Sequence, residues 1–330
     1  MNQKLFPNPC EYVKESCRKV MAKAEHVTLN KEKITEFVQQ LLQNEKLLAF
    51  PCWGESHFPP ETESFELFLR YVFTIDTLNY CFWPNPPFEY FNLAKNLYNT
   101  LKNNKPFFDI EHLTKITSQE LKDAVFKCDF CLIEERARMV REVFTVISLE
   151  HNGSVIEFIK KANKSAPQLV KLIIDSFPCF RDTAIYKGEQ VFLYKRAQIL
   201  VSDLHLAYRD LFKAQGKNDE NELINFGDSV SELTMFADYR VPQILREIKI
   251  LHYNEELAKK IDNKEEISHG SCFEVELRAA TIIAVEDIKA ELAMKNKKVL
   301  SLEIDTYLWE EGEKIKEKIQ PPHHTLSIFY

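Results

Sequence analysis

Glu61-Thr62-Glu63-Ser64-Phe65-Glu66-Leu67-Phe68-Leu69-Arg70-Tyr71-Val72-Phe73-Thr74-Ile75-Asp76-Thr77-Leu78-Asn79-Tyr80-Cys81-Phe82-Trp83-Pro84 reads as one helix that stops at its last proline. Phe65, Phe68, Leu69, Val72, Phe73 and Ile75 recur at helical spacing. Apolar residues run round every side, so this helix belongs in the middle of the molecule with others packed about it. Asp76 and Asn79 stand out within it. Three residues apart, they share a face, and a buried carboxyl or amide left without a hydrogen bond costs about 1–3 kcal/mol. Either they satisfy loop backbone groups or they line a site.

Helical periodicity continues on both sides. Cys10, Val13, Cys17 and Val20 form one run, and Ile34, Phe37, Val38, Leu41 and Leu42 a second, with Asn30 as its N-cap. Prolines break the pattern at 51–60 and 84–87, leaving an aromatic loop that contains Trp53. Thr117-Ser118-Gln119-Glu120 opens another helix with a capping pattern. Further helices are predicted over 136–147, 155–162, 195–204, 244–252, 254–266 and 273–290; Ala279, Ala280 and Ala284 in the last leave room for a close neighbour. Only 7 of 330 residues are glycine, which disfavours both a Gly-rich phosphate loop and a turn-dense β fold. The expectation is a mainly α, single large helical domain, with an N-terminal part over about 1–125 packed on a catalytic part over about 126–330.

Composition narrows the partners. The balance of 43 basic to 50 acidic side chains leaves a net charge of -7, which repels a nucleic-acid polymer but permits a small anionic metabolite held by two or three cations. No apolar run is long enough to span a membrane, and no apolar signal segment opens the chain. Eight cysteines without regular spacing read as reduced thiols in the cytoplasm. Cys128 and Cys131 lack two further ligands at metal-site spacing and read as helix core. His323-His324 has no third ligand close by, so neither a metal nor a cofactor is expected. The apolar end, Leu326-Ser327-Ile328-Phe329-Tyr330, should be docked.

Met235-Phe236-Ala237-Asp238-Tyr239-Arg240-Val241-Pro242-Gln243 gathers a carboxylate, two rings and a guanidinium beside a proline. Pro242 biases Val241 away from helix, so Asp238 is expected at a helix end or in the bend after it, able to point into a cleft. Phe236 and Tyr239 offer flat faces and Arg240 a forked donor, a set suited to a nucleotide. The plainer reading is a helix terminus whose Asp pairs with Arg among core aromatics. Lys195 and Arg196 are candidates for an anion contact, or else a solvated basic pair beside Asp203. Asp305 and Trp309 share a helical face.

Six stretches together resemble the queuosine salvage proteins: Ile75 through Trp83, Lys195-Arg196-Ala197-Gln198, Leu233 through Gln243, Glu274-Val275-Glu276-Leu277-Arg278-Ala279-Ala280, Asp305-Thr306-Tyr307-Leu308-Trp309-Glu310, and His324 through Tyr330. They follow one another along nearly the whole chain. The resemblance implies a fold like that of helical DNA glycosylases and hydrolysis of the N-glycosidic bond of queuosine 5'-phosphate, releasing queuine. It places the nucleophile or transition-state stabiliser on Asp238, a base contact on Phe236, and substrate contacts on Asp305, Thr306 and Trp309. Glu310 stands where the family motif closes on Asp, and Asn92 where its pattern has His after Glu-Tyr.

The chemistry supports these roles. Departure of a base from C1' builds an oxocarbenium-like ribose, which a carboxylate in a dry pocket stabilises as charge develops. The deazapurine presents N–H donors and a protonated side-chain amine, for which Asp305 and Glu310 are acceptors. Phe236, Trp309 and Trp53 are candidate stacking surfaces, Asn79 a polar contact, and Lys195, Arg196 and Arg240 candidate phosphate donors. Two other classes of function compete: a nucleoside- or RNA-binding module that does no chemistry, and a helical interaction scaffold.

Overall fold

The computed structural model describes residues 8–43, 64–84, 87–213 and 220–330. Its longer helices are α1 (Pro9–Met21), α2 (Lys31–Gln43), α3 (Phe65–Leu78), α4 (Tyr90–Asn103), α5 (Ile133–Glu150), α6 (Val155–Lys160), α7 (Ala166–Ser176), α8 (Lys195–Ala207), α9 (Arg240–Glu247), α10 (Glu255–Asp262), α11 (Cys272–Met294) and α12 (Ser301–Ile315). Two small antiparallel pairs complete the mainly α architecture: β1 (Val27–Leu29) with β4 (Leu251–Tyr253), and β2 (Thr183–Tyr186) with β3 (Glu189–Phe192). The β2–β3 hairpin turns at Lys187-Gly188, both at positive φ, where the glycine has no Cβ to clash. The loop around Trp53 lies outside the described residues.

The helix α3 is central, as its apolar surround requires, and every residue from Tyr71 to Leu78 is buried. Ser64 caps its start by accepting from the Leu67 N–H at 3.2 Å. Inside it, the hydroxyls of Thr74 and Thr77 donate to the carbonyls of Arg70 and Phe73, so neither is left unpaired. It ends at Leu78, five residues earlier than predicted, because the next carbonyls are claimed by arginines rather than by a continuing helix. Arg136 on α5 donates to the carbonyls of Leu78, Tyr80 and Cys81, each at 2.7 Å. Arg196 on α8 donates to those of Thr77, Cys179 and Ile328. The Tyr80 ring lies against both guanidinium groups, whose carbons are 4.1 and 4.8 Å from its centroid. Two forked cations at a helix C-terminus satisfy orphan carbonyls and complement the dipole. Arg196 is therefore neither solvated nor turned toward an anion.

The 23-residue α11 packs along α1, α2 and β1, with Ala279, Ala280 and Ala284 all fully buried. The C-terminus is docked as expected: the Cys81 N–H donates to the Tyr330 carbonyl at 2.9 Å, and the Tyr330 ring lies 4.0 Å from the Arg278 guanidinium carbon. The segment predicted as helix 244–252 divides, since α9 ends at Glu247, Lys249 turns through a positive φ, and β4 follows. Cys128 and Cys131 fall in the non-helical link before α5 rather than in helix core.

Candidate active site

Asp238 stands just before a helix, not at the end of one. The bias of Val241 away from helix is overridden because Pro242 sits in the first turn of α9, where its missing N–H has no helical acceptor in any case. Asp238 Oδ1 accepts the N–H groups of Arg240 and Val241, both at 2.9 Å, which are donors that the new helix cannot itself satisfy. Among the described residues nothing bonds Oδ2. One oxygen fixes the carboxylate, and the other is presented to a cleft.

That cleft is walled by α8, α12, the end of α3 and the start of α4. It brings together Asn79, Lys195, Phe236, Asp238, Asp305, Thr306, Trp309 and Glu310. Asp305, 7% exposed, holds Oδ1 against the Phe236 N–H at 3.1 Å, which ties α12 to the Asp238 segment. Lys195 is 6% exposed, and its ammonium has no hydrogen bond among the described residues. Burial pushes the Asp238 carboxyl up, opposed first by Lys195 and then by the α9 amide donors. Asp305 is pushed well up, by burial first and then by the Asp238 charge. Both carboxyls are raised, Asp305 the further, because Asp238 has two amide donors and Lys195 as its first opposing influence, whereas Asp305 has one amide donor and faces the Asp238 charge. Burial brings Lys195 down to about 8, against the pull of Asp238 and Asp305.

A buried brace places these groups. Arg278 on α11 grips Asp182 through Nη1 to Oδ1 at 2.9 Å and Nη2 to Oδ2 at 2.5 Å, while its Nε donates to the Ala237 carbonyl at 3.1 Å. Asp182 Oδ2 also accepts the Lys195 N–H at 3.1 Å. One ion pair therefore anchors the backbone next to Asp238 and the backbone of Lys195.

Two predicted contacts lie elsewhere. Asn92 is exposed and acts as a helix cap, its Oδ1 accepting the Glu89 N–H at 2.9 Å. Arg240 lies behind the cleft, donating from Nε to Glu313 at 2.5 Å and from Nη1 to Gln243. Gly312 makes room for it: a Cβ there would stand 3.0 Å from Arg240 Cδ. Tyr239 joins the lining as its flat face suggests, while Tyr90, Ile199, Ser202, Leu206 and Glu313 line the cleft without having been marked by the sequence. A signal existed, since Lys195, Ile199, Ser202 and Leu206 repeat at three to four along α8, as do Asp305, Trp309 and Glu313 along α12. Asp203 joins the lining as well. Nearby, both carboxyl oxygens of Asp76 are buried without a hydrogen bond among the described residues, and burial followed by the Asp203 charge pushes that acid well up.

The fold and cleft define a mainly helical protein in which aromatic walls and paired carboxyls line one cleft. The profile described as Queuosine salvage protein matches residues 58–330, and the chain belongs to that family. A Dictyostelium discoideum protein named queuosine 5'-phosphate N-glycosylase/hydrolase is 41% identical over 98% of this chain and 100% of its own length. Proteins of the same name from Sphaerobacter thermophilus and Mus musculus are 34% and 29% identical, over 95% and 96% of this chain and 96% and 98% of their own.

Proposed function

We propose that this chain hydrolyses the N-glycosidic bond of queuosine 5'-phosphate and releases queuine, with Asp238 as the catalytic carboxylate. The observation that carries the assignment to this cleft is the split role of Asp238, one oxygen tied by two amides and the other open to the ligand space. The C1'–N bond breaks with its electron pair leaving on the base, Asp238 Oδ2 meets the cationic C1', and water supplies the hydroxyl on the sugar and the proton on the base. Asp305, pushed well up beside Asp238, suits a base N–H as acceptor. Glu310 suits the cationic side chain of the base, Asn79 and Thr306 offer polar contacts, and Phe236 and Trp309 supply flat walls. Lys195 is the cation of this lining that suits the phosphate. The net charge of -7 favours a small metabolite over a nucleic-acid polymer, and cytoplasmic action on free nucleotide is part of the same proposal. No helix among the described residues is long and apolar enough to cross a membrane.

Two expected outcomes belong here. Trp309→Ala and Phe236→Ala each raise KM roughly 10–100-fold with a smaller change in kcat, because a stacked base is worth about 1–3 kcal/mol per ring. Steady-state kinetics check this, and an unchanged KM in both variants would remove the stacking role. The second outcome concerns pH. Activity toward the 5'-phosphate falls as pH rises through about 8, where Lys195 loses its charge among Asp238, Asp305, Arg196 and Arg278. Lys195→Arg moves that limb to higher pH; a limb that stays in place would exclude Lys195 as its source. The stability effect runs the other way: above about 8 the folded protein has released a proton that the unfolded lysine still holds, so stability rises with pH until the unfolded lysine titrates too.

A further inference from the structure

Cys81 follows α3 with a left-handed φ of 42°, between the cleft residues Asn79 and Phe82. Its Sγ lies 3.1 Å from the Trp83 carbonyl oxygen, and Cys131 Sγ lies 3.4 Å from that same oxygen and 3.2 Å from the Cys81 carbonyl. Two thiols distant in sequence thus converge on one acceptor. Arg136 Nη2 is 3.9 Å from Cys131 Sγ while also donating to the Cys81 carbonyl at 2.7 Å. Cys81 lines a second cleft that adjoins the first and shares Phe82, Glu89 and Tyr239 with it, and Cys131 is only half-buried, which leaves it open to a small reagent. Among the described residues the other buried thiols have no such setting. Burial pushes Cys10, Cys17 and Cys179 up to about 12, where thiols are inert.

We propose that Cys81 and Cys131 form a peroxide-reactive dithiol that closes into a disulfide at the edge of the cleft. Cys131 is the attacking sulfur. The neighbouring Cys81 thiol brings it down to about 6, burial opposes this, and the Arg136 guanidinium, 3.9 Å away, adds to the lowering. Cys81 is the resolving sulfur, pushed up by the neighbouring Cys131 and by burial. The Cys131 thiolate attacks one oxygen of hydrogen peroxide, the O–O bond breaks, and hydroxide leaves to give a sulfenic acid. Cys81 then attacks the oxidised sulfur, the S–O bond breaks, and the departing oxygen takes the Cys81 proton as water. The other hydroxide takes the proton first released by Cys131, so two thiols and one peroxide give one disulfide and two waters. Drawing the two sulfurs to bonding distance pulls on the turn that carries Asn79 and Phe82, so the disulfide lowers activity.

The test treats the reduced full chain with stoichiometric hydrogen peroxide, blocks remaining thiols with N-ethylmaleimide and maps linked peptides by mass spectrometry. A Cys81–Cys131 link is expected in the wild type and none in Cys131→Ser. A Cys128–Cys131 link, or Cys81 and Cys131 both alkylated while the exposed Cys128 is oxidised, overturns the proposal. In parallel, hydrolysis of queuosine 5'-phosphate by the oxidised wild type falls on the order of 10–100-fold, the scale of an ångström-level misplacement. It returns with dithiothreitol, and Cys131→Ser keeps its activity throughout. Full activity in the linked protein overturns the coupling to the cleft. The peptide map needs no substrate, so it stands apart from the assigned reaction.

Discussion

Asp238→Asn lowers turnover of queuosine 5'-phosphate on the order of 10²–10³-fold, the range seen when one preorganised electrostatic contact to a transition state is removed. The amide keeps an oxygen for the N–H groups of Arg240 and Val241, so the start of α9 is undisturbed. What it loses is the charge that faces C1'. Dissociation constants by calorimetry should change only a few-fold, and the loss should appear in kcat. A non-catalytic binding module would show the reverse, with changed affinity and no turnover to lose. Full turnover in the variant would remove Asp238 from the chemistry.

The largest effect on stability is expected at the brace. Asp182→Ala leaves the Arg278 guanidinium, which is 0% exposed, facing Glu274 at 3.5 Å but without its bidentate partner. Breaking such a buried pair from one side costs about 3–5 kcal/mol, because the remaining charge is stranded. The urea midpoint should fall accordingly, with the m-value unchanged. Asp182→Ala combined with Arg278→Met should recover part of the loss, since the guanidinium is gone and Glu274 keeps His269 and the Gly270 N–H as partners. A cost below about 1 kcal/mol in the single variant, the range of an exposed pair, would contradict the brace.

Much of this was legible in the sequence, for physical reasons that differ by element. The centrality of α3 follows from an apolar surround that no surface helix has, and the small residues of α11 mark a close-packed neighbour. The pairing of Asp238 with Asp305 across one cleft was also anticipated, through the resemblance carried by the motifs around them. Other features depend on partners that local sequence does not display. Arg136 and Arg196 look like surface cations until α3 ends beside them and its carbonyls need donors. Pro242 looks like a helix breaker in isolation, yet in a first turn proline is compatible with a helix. Asn92 fits a substrate contact by position but is occupied as a cap, and Arg240 fits a phosphate contact by chemistry but is held by Glu313. Asp203 looks in sequence like the partner of a basic pair, yet it lines the cleft near Asp76.

Incubating the purified chain with queuosine 5'-phosphate and separating the products addresses the central claim most directly. Queuine and ribose 5-phosphate should appear in equal amounts, with Asp238→Asn nearly silent under the same conditions. Intact nucleotide after incubation with folded protein that demonstrably binds it would contradict the assignment.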